Sequence, residues 1–386
     1  MKHVLLLTLQ RIPSAVLCGH APLEYLAGEG KIEYRFRLTA EARGEDIRWA
    51  DVLVFVRGDD ARSFVTARAA RRAGKTAMYV LDDDILHVPP GLESAPEYAK
   101  KETQGNIRAI MGECSVFLSP SRNLLEKYGG DFAAAARIEE PALFTGKAAR
   151  RSDGPVRVGF AGSVDRAGDI DALLSGALRR LRREYGDRVE IEFFGARPAV
   201  AQELGLRCIP YQSSYEAYAR TMASLCWDIG LAPMAESDFN RCKHYNKYIE
   251  YAARGIAGVY SDVEPYRFAV RDGENGLLCP NTEEAWFAAL RRLVEDAALR
   301  QALSAAARRE TETLYSLPAA AAIWEAVLAA CPAAQGVTAE LAAFDGLVGP
   351  ETAARKLRQY GLRAPYHAAR KIFRGVFGAG ERKESI

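Results

Sequence analysis

Short apolar segments alternate with helix-forming segments along most of this chain, and this alternation restricts the fold more than any other feature. In the N-terminal half the apolar segments include Val4–Leu9, Ala50–Arg57 and Thr76–Leu81, and a second series begins at Val156. Runs of this length are typical of strands that are buried on both faces. Strands that alternate with helices predict parallel, doubly wound sheets.

Two such sheets are predicted, because the polar, turn-rich segment 145–155 divides the two series and 386 residues exceed one average domain. We predict an α/β protein of two Rossmann-like domains that face each other across a cleft, residues 1–148 and residues 149–335. A basic, amphipathic tail would follow at 336–386. Ligands of doubly wound sheets bind beyond the carboxyl ends of the strands, so the residues that follow the strands are the candidates for a site.

Composition and charge exclude several classes of protein. The net charge of +2 gives no field that would favour nucleic acid. The seven cysteines are odd in number and include no C-x-x-C pair, which argues against a disulfide framework or a zinc knuckle and favours a reducing compartment. The apolar run at the N-terminus predicts a first strand rather than a signal peptide, and no run approaches the ~20 apolar residues of a membrane span. We therefore expect a cytoplasmic protein.

Charged residues follow two of the strands predicted in the N-terminal half. Arg57 ends one apolar run, and Asp82, Asp83 and Asp84 directly follow the next. Both groups should face the cleft. The carboxylates could contact hydroxyl or cationic groups of a ligand, bind Mg²⁺ or Mn²⁺, or only cap the next turn. His20 could also reach the cleft, either as a proton acceptor or as an ordinary core or surface residue.

Small residues follow the first strand of the C-terminal half, in the segment Gly159–Ser163. Glycines allow a backbone to approach a phosphate, whose oxygens then accept hydrogen bonds from backbone N–H groups. Gly162 and Ser163 are therefore candidates for a phosphate-binding loop, although many tight turns share this composition. Arg166 lies just beyond and could reach a diphosphate or remain solvated.

A helix is predicted at Asn240–Arg254, ending at Gly255. At 100° per residue, Lys243, Lys247 and Glu250 share one stripe of that helix. The stripe could be a solvated face with weak ion pairs. Alternatively, the lysines and the positive end of the helix could bind a diphosphate, and Glu250 could accept hydrogen bonds from the vicinal hydroxyls of a ribose.

Together these elements resemble the GT-B glycosyltransferases, in particular the retaining group called family 4. The likeness is a spaced pattern over about residues 156–330, and it is looser in the N-terminal half. Each piece alone is common, but their order and spacing are specific. The pieces are Gly159–Ser163, Phe193–Gly195, Ala232–Pro233, Asn240 with Lys243, Lys247 and Glu250–Gly255, Tyr260–Asp262, Asp272–Gly276 and Tyr315–Ser316.

The resemblance implies that the C-terminal domain binds a nucleotide-sugar and that the N-terminal domain binds a glycan or lipid-linked acceptor. Transfer would retain the anomeric configuration and would need neither a cofactor nor a metal ion. Arg166, Lys243 and Lys247 would stabilise the diphosphate leaving group. The donor site would comprise Gly162, Ser163, Asn240, Lys243, Lys247, Glu250, Asn275 and Gly276, and the acceptor side would comprise His20, Arg57, Asp82, Asp83 and Asp84.

One departure from the family concerns the sugar. The family commonly has two glutamates eight positions apart; Glu250 fits the second, but Cys242 occupies the first. The sugar therefore stays open, with Glu236 or Asp238 as a substitute contact. Three alternative functions also stay open: a metal-dependent GT-A-like transferase that uses Asp82 and Asp84, a GT-B epimerase, and a non-catalytic nucleotide-sugar-binding protein.

The tail has its own pattern. Residues 355–383 are rich in Lys and Arg and contain Glu381 as their single acidic residue. From Pro365 onward, apolar and basic residues separate onto two faces of a predicted helix. This helix could bind an anionic membrane surface at the inner face of the membrane, or it could dock on its own domain or on a second subunit.

Overall fold

The computed structural model describes residues 1–143, 154–212 and 214–331. Two six-stranded sheets, each parallel throughout, form the centres of two domains. The N-terminal sheet has the order β2-β1-β3-β4-β5-β6, with β1 (Lys2–Thr8), β2 (Ile32–Leu38), β3 (Val52–Val56), β4 (Thr76–Val80), β5 (Val116–Ser119) and β6 (Ala134–Arg137). The C-terminal sheet has the order β12-β11-β10-β7-β8-β9, with β7 (Val156–Ala161), β8 (Val189–Gly195), β9 (Arg207–Pro210), β10 (Ile229–Ala232), β11 (Ala257–Ser261) and β12 (Leu277–Cys279).

Helices connect the strands and cover both faces of each sheet, which confirms the predicted fold class. In the N-terminal domain they are α1 (Pro13–Ala15), α2 (Ala21–Gly28), α3 (Gly44–Trp49), α4 (Ala61–Arg72), α5 (Ala95–Tyr98), α6 (Lys101–Glu113) and α7 (Arg122–Tyr128). The C-terminal series is α8 (Ala167–Tyr185), α9 (Ala199–Glu203), α10 (Tyr215–Ser224), α11 (Asp238–Arg241), α12 (Asn246–Arg254), α13 (Glu283–Glu295), α14 (Ala297–Leu314) and α15 (Leu317–Ala330).

The central strands form because their residues are apolar on both faces. Every residue of β3 and β4 is buried, and the two strands pair in parallel with Val54 opposite Met78. Helix α4 then covers one face of the sheet. It begins at Asp60, whose side chain accepts a hydrogen bond from the Ser63 backbone N–H at 2.7 Å. Gly74 follows the helix with a positive φ of 67°, as expected for a residue just past a helix end.

The order of strands reverses once in each sheet, and this reversal positions the site. In the C-terminal sheet the reversal lies between β7 and β10, and in the N-terminal sheet it lies between β1 and β3. The loops on either side of such a point leave in opposite directions and open a crevice at the carboxyl edge of the sheet. The segments after β7 and β10 are therefore the candidate ligand-binding segments.

The last described helix returns to the N-terminal domain. Trp324 of α15 is fully buried in the N-terminal core, and its indole N–H donates to the Cys18 carbonyl at 3.1 Å. By length and composition alone, the run Ala297–Ala330 would also suit a membrane span, because an 18-residue window within it has a mean hydropathy of 1.3. In the fold this run is α14 and α15, and both helices bury residues against the rest of the protein.

One sequence prediction needs correction, and two others lie beyond the described residues. The helix predicted at Asn240–Arg254 is broken into α11 and α12, and Lys243 lies in the connection between them rather than on a helical stripe. The break arises because Cys242 points into the N-terminal core, where it is buried beside Tyr128. The tail at 336–386 and the domain boundary at 148 fall outside the described residues.

Candidate functional site

A cavity of about 260 Å³ lies between the carboxyl edges of the two sheets. Its size suits part of a small ligand. It is lined from the N-terminal domain by Asp82 and Asp83, and from the C-terminal domain by Phe160, Gly162, Ser163, Arg166, Pro233, Met234, Lys243, His244, Asn246, Lys247 and Tyr266. Gly162 and Ser163 follow β7, and Pro233 and Met234 follow β10, so the cavity lies at the reversal of the C-terminal sheet.

The Gly162–Ser163 loop is held close to the end of β8. The Gly162 backbone N–H donates to the Phe194 carbonyl at 2.9 Å. Gly195 follows with a positive φ of 86°, and a Cβ at Gly195 would lie only 2.0 Å from the Gly162 carbonyl oxygen. Glycine at 195 is therefore required for the loop to approach β8 this closely.

Two lysines and one arginine line the C-terminal wall, and each is already paired with a carboxylate. Lys243 Nζ lies 2.9 Å from an oxygen of Asp83, across the cleft. Arg166 donates to the Pro233 carbonyl at 2.7 Å and lies 3.1 Å from Asp169.

Lys247 completes the set, and it contacts Glu250 of the same helix. A diphosphate entering the cavity would therefore meet cations that are held in place.

The N-terminal wall is acidic and is organised by Arg57. Among the described residues, Arg57 is the one non-glycine residue with a positive φ, at 48°. Its guanidinium contacts Asp82 and lies 2.6 Å from Asp83. Burial alone would raise the pKa of Asp83, but Lys243 and Arg57 lower it well below its usual range. Asp83 is thus a carboxylate shared between the two domains.

Asp84 has a different environment from its two neighbours. It does not line the cavity; it accepts hydrogen bonds from Tyr128 at 2.6 Å and from Lys127 at 2.7 Å. Burial favours the neutral carboxyl, but these contacts and His87 lower the pKa of Asp84. Because Asp82 faces Arg57 and Asp84 faces Lys127, the pair does not converge on one point as metal ligands would.

A second group of possible ligands, within the described residues, is Cys18, Asp82 and Glu140. The Cys18 thiol donates to Glu140 at 3.1 Å, and burial raises its pKa well above the usual range. A metal ion requires a thiolate, and Arg57 already occupies Asp82. These residues therefore do not fit a divalent metal.

Several predicted site residues lie next to the cavity rather than in its lining. Glu250 accepts hydrogen bonds from the Tyr218 hydroxyl at 3.1 and 3.2 Å and touches Lys247. The Asn240 amide donates to the Ala235 carbonyl at 2.9 Å. Neither residue is in direct contact with the cavity.

The turn at Asp272–Gly276 packs within the C-terminal domain and does not line the cavity. Asn275 is buried, and its side-chain amide donates to the Tyr248 hydroxyl at 2.9 Å and to the Ala269 carbonyl at 3.0 Å. A Cβ at Gly276 would lie 2.9 Å from the Tyr260 ring, so a glycine is needed for packing there.

Three other side chains lie away from the cavity. His20 is buried in the N-terminal domain, where its imidazole contacts Arg11 and Tyr34 at 2.9 Å, and burial lowers its pKa. Glu236 and Asp238 are exposed and are not part of the lining.

Among the lining residues that sequence reasoning did not predict are His244 and Asn246. Both lie between Lys243 and Lys247, so their position in a candidate stretch was the available signal. The partners of His244 are Glu139 and Glu140, which directly follow the N-terminal sheet after Ile138. Periodicity in the sequence is local, so it does not show that segments this far apart come into contact.

Comparisons with known proteins agree with this architecture. No protein-family model matches the chain. The chain is 30% identical over 258 residues to the O-antigen biosynthesis protein RfbC of Myxococcus xanthus. That match covers 63% of this chain but only 18% of RfbC.

Solved structures resemble the chain over most of its length. A sucrose-phosphate synthase from Thermosynechococcus elongatus superposes with a TM-score of 0.59 at 14% identity, covering 86% of this chain and 100% of that one. HepE of Anabaena, in complex with UDP and glucose, superposes with a TM-score of 0.58 at 13% identity. The superposition covers 86% of this chain and 100% of the HepE chain. A putative UDP-N-acetylglucosamine 2-epimerase from Listeria monocytogenes superposes with a TM-score of 0.55 at 15% identity. The superposition covers 86% of this chain and 96% of the epimerase chain. At such identities the likeness establishes the fold: this chain has the GT-B fold.

Proposed function

We propose that this protein is a glycosyltransferase that moves a sugar from a nucleotide-sugar donor to a hydroxyl group of a glycan or lipid-linked acceptor. The single observation that carries the proposal is the arrangement of the C-terminal wall. There, Lys243 and Lys247 face the Gly162–Ser163 loop across one cavity at the strand reversal. Cations, glycine backbone and a helix beginning at Asn246 are the features that bind a diphosphate.

In the proposed reaction, the bond between the anomeric carbon and the diphosphate oxygen breaks, and the acceptor oxygen forms a bond to the same carbon on the same face. The acceptor proton passes to the departing diphosphate oxygen, so no protein base is required. Lys243, Lys247 and Arg166 would stabilise the charge that develops on the leaving group. Asp82 and Asp83 would accept hydrogen bonds from acceptor hydroxyls on the opposite wall.

Neighbouring proteins support the sugar chemistry without identifying the sugar. RfbC is named for O-antigen biosynthesis, and the HepE structure contains UDP and glucose. We extend a nucleotide-sugar donor to this chain as part of the proposal, together with a reducing, cytoplasmic location. All seven cysteines are free, which agrees with that location.

The test is turnover of a panel of nucleotide-sugars by the purified full-length chain. We expect slow release of a nucleoside diphosphate with one donor, faster release when a hydroxyl-bearing glycan is added, and no requirement for added divalent metal. The fold is shared with a 2-epimerase, so the same samples are analysed for an epimerised sugar in the absence of acceptor. Binding without turnover across the panel would contradict an enzymatic function.

A further inference from the structure

His244 connects the two domains directly beside the cavity. Its side chain is 2% exposed, and its Nε2 lies 3.5 Å from a carboxylate oxygen of Glu139. Its Nδ1 lies 3.8 Å from an oxygen of Glu140. Burial alone would lower the pKa of His244, but the two glutamates raise it to about 9. The imidazole is therefore a cation at neutral pH.

The other groups around His244 belong to the same cluster. The ring of Tyr245 lies 4.0 Å from the imidazole, centroid to centroid. Its hydroxyl donates to Glu139 at 3.3 Å, and Arg137 contacts both that hydroxyl and that carboxylate. The Cys18 thiol donates to Glu140. These contacts make the cluster an ion network that spans the domains.

His244 also has a contact on the side of the cavity. Its Nδ1 lies 2.7 Å from Oδ1 of Asn246, the first residue of α12. Both nitrogens of an imidazolium are donors, so the neighbouring group must present an acceptor, which is the carboxamide oxygen. The Nδ2 amide of Asn246 then points away from His244. Among the described residues nothing accepts a hydrogen bond from it, and Asn246 lines the cavity beside Lys247.

We propose that His244 is a positioning residue that fixes the Asn246 carboxamide with its NH₂ group towards the cavity, where Asn246 binds a phosphate oxygen of the donor. This inference rests on the proposed nucleotide-sugar function and adds two residues to it. Asn246 supplies a neutral donor at the positive end of α12, between the charges of Lys243 and Lys247. His244 couples this donor to the connection between the two domains.

The experiment measures the affinity of UDP, GDP and ADP by calorimetry at pH 7.5. The proteins are the wild type, Asn246→Ala, His244→Ala, the double variant and His244→Gln. His3→Ala is the matched control, because His3 packs on Trp49 at the amino end of β1, away from the cavity. Thermal unfolding of each variant verifies that it is folded.

We expect Asn246→Ala to weaken binding of the preferred nucleotide about tenfold, the size of one hydrogen bond to a charged group. His244→Ala should weaken it by a similar factor, and the double variant should be no weaker than Asn246→Ala alone, because His244 acts through Asn246. His244→Gln retains an N–H donor for the Asn246 oxygen and should recover part of the affinity. A purely structural role of His244 would lower stability without this coupling.

A folded Asn246→Ala that binds like the wild type overturns the inference, whether or not His244→Ala folds. Additive losses in the double variant overturn it as well. If the wild type binds none of the three nucleotides, the proposed function fails and the inference fails with it, which is a distinguishable result.

Discussion

The two walls of the cleft stand at the carboxyl edges of two sheets of the same kind, yet they carry opposite charges. The C-terminal wall presents a glycine loop at Gly162 with Lys243 and Lys247, whereas the N-terminal wall presents Asp82 and Asp83, held by Arg57. The sheets fix where a ligand binds, and the residues just after the strands decide what binds. Under the proposed function, the first wall binds the diphosphate of the donor and the second binds hydroxyl groups of the acceptor.

The largest expected effect comes from removing the charge of the C-terminal wall. The double substitution Lys243→Ala/Lys247→Ala should weaken nucleoside diphosphate binding at least about 100-fold, since each charged hydrogen bond contributes about 1.5–3 kcal/mol. Calorimetry measures this. Lys31→Ala, which removes an exposed pair with Glu325, is the control and should leave affinity unchanged. Equal affinity of the double variant and wild type would mean that the diphosphate does not bind this wall.

The His244 cluster, where the two walls meet, should make the stability of the folded protein depend on pH. The pKa of His244 is raised to about 9, above the ordinary value of 6.5. The contribution of His244 to the free energy of unfolding is therefore fully present below about pH 6.5 and is lost as the pH rises through about 9. The excess stability of the wild type over His244→Gln should shrink by up to about 3 kcal/mol across that window, as measured by urea unfolding. A constant difference across the range would contradict this account of the network.

The next largest effect should come from Gly195, which packs against the carbonyl of Gly162 in the Gly162–Ser163 loop. Gly195→Ala places a Cβ against the Gly162 carbonyl at a positive φ, and should cost about 1–3 kcal/mol of stability and weaken nucleotide binding. Gly105→Ala is the matched control: it lies within α6, nothing lies near its Cβ position, and it should stabilise by about 0.5–1 kcal/mol. Normal stability and affinity in Gly195→Ala would show that the loop is not confined.

The smallest effect has the opposite sign and separates the walls most cleanly. Asp83→Asn frees Lys243 and leaves Arg57 with one carboxylate fewer, so nucleoside diphosphates should bind about threefold tighter, roughly 0.6 kcal/mol. Transfer to the acceptor should slow, because Asp83 no longer accepts as a carboxylate. Asp187→Asn is the control, because the Asp187 side chain is fully exposed and pairs only at the surface with Arg182. Weaker nucleotide binding in Asp83→Asn would place the donor on the acidic wall instead.

The sheets and the glycine loop could be predicted from the sequence, because local periodicity and strand-end composition encode them. Lys243 and Lys247 were singled out by the spacing of the family pattern, since the helical stripe predicted for Lys243 does not form. The sequence did not reveal the break between α11 and α12, because that break depends on Cys242 packing into the other domain. It also did not reveal which strand-end carboxylates face the cleft: Asp83 does, while Asp84 turns to Tyr128. Such choices are made by tertiary contacts, which no local pattern contains.

The His244 network shows the same limit. Glu139 and Glu140 follow β6, and His244 precedes α12, so their meeting depends on how the two domains face each other. Asn275 shows the reverse case. Its turn was predicted correctly, and its amide donates to Tyr248 and Ala269 within the domain. A motif can thus locate a structural element without defining its role.

The most direct measurement is a crystal structure of the protein with a bound nucleoside diphosphate, chosen by thermal-shift screening of UDP, GDP and ADP. We predict that the two phosphates lie within hydrogen-bonding distance of the Gly162–Ser163 backbone and of Lys243 and Lys247. The Lys243–Asp83 contact should then be broken or lengthened. Phosphates bound instead at Asp82–Asp84 through a divalent metal, or outside the cleft altogether, would contradict a donor site on the C-terminal wall.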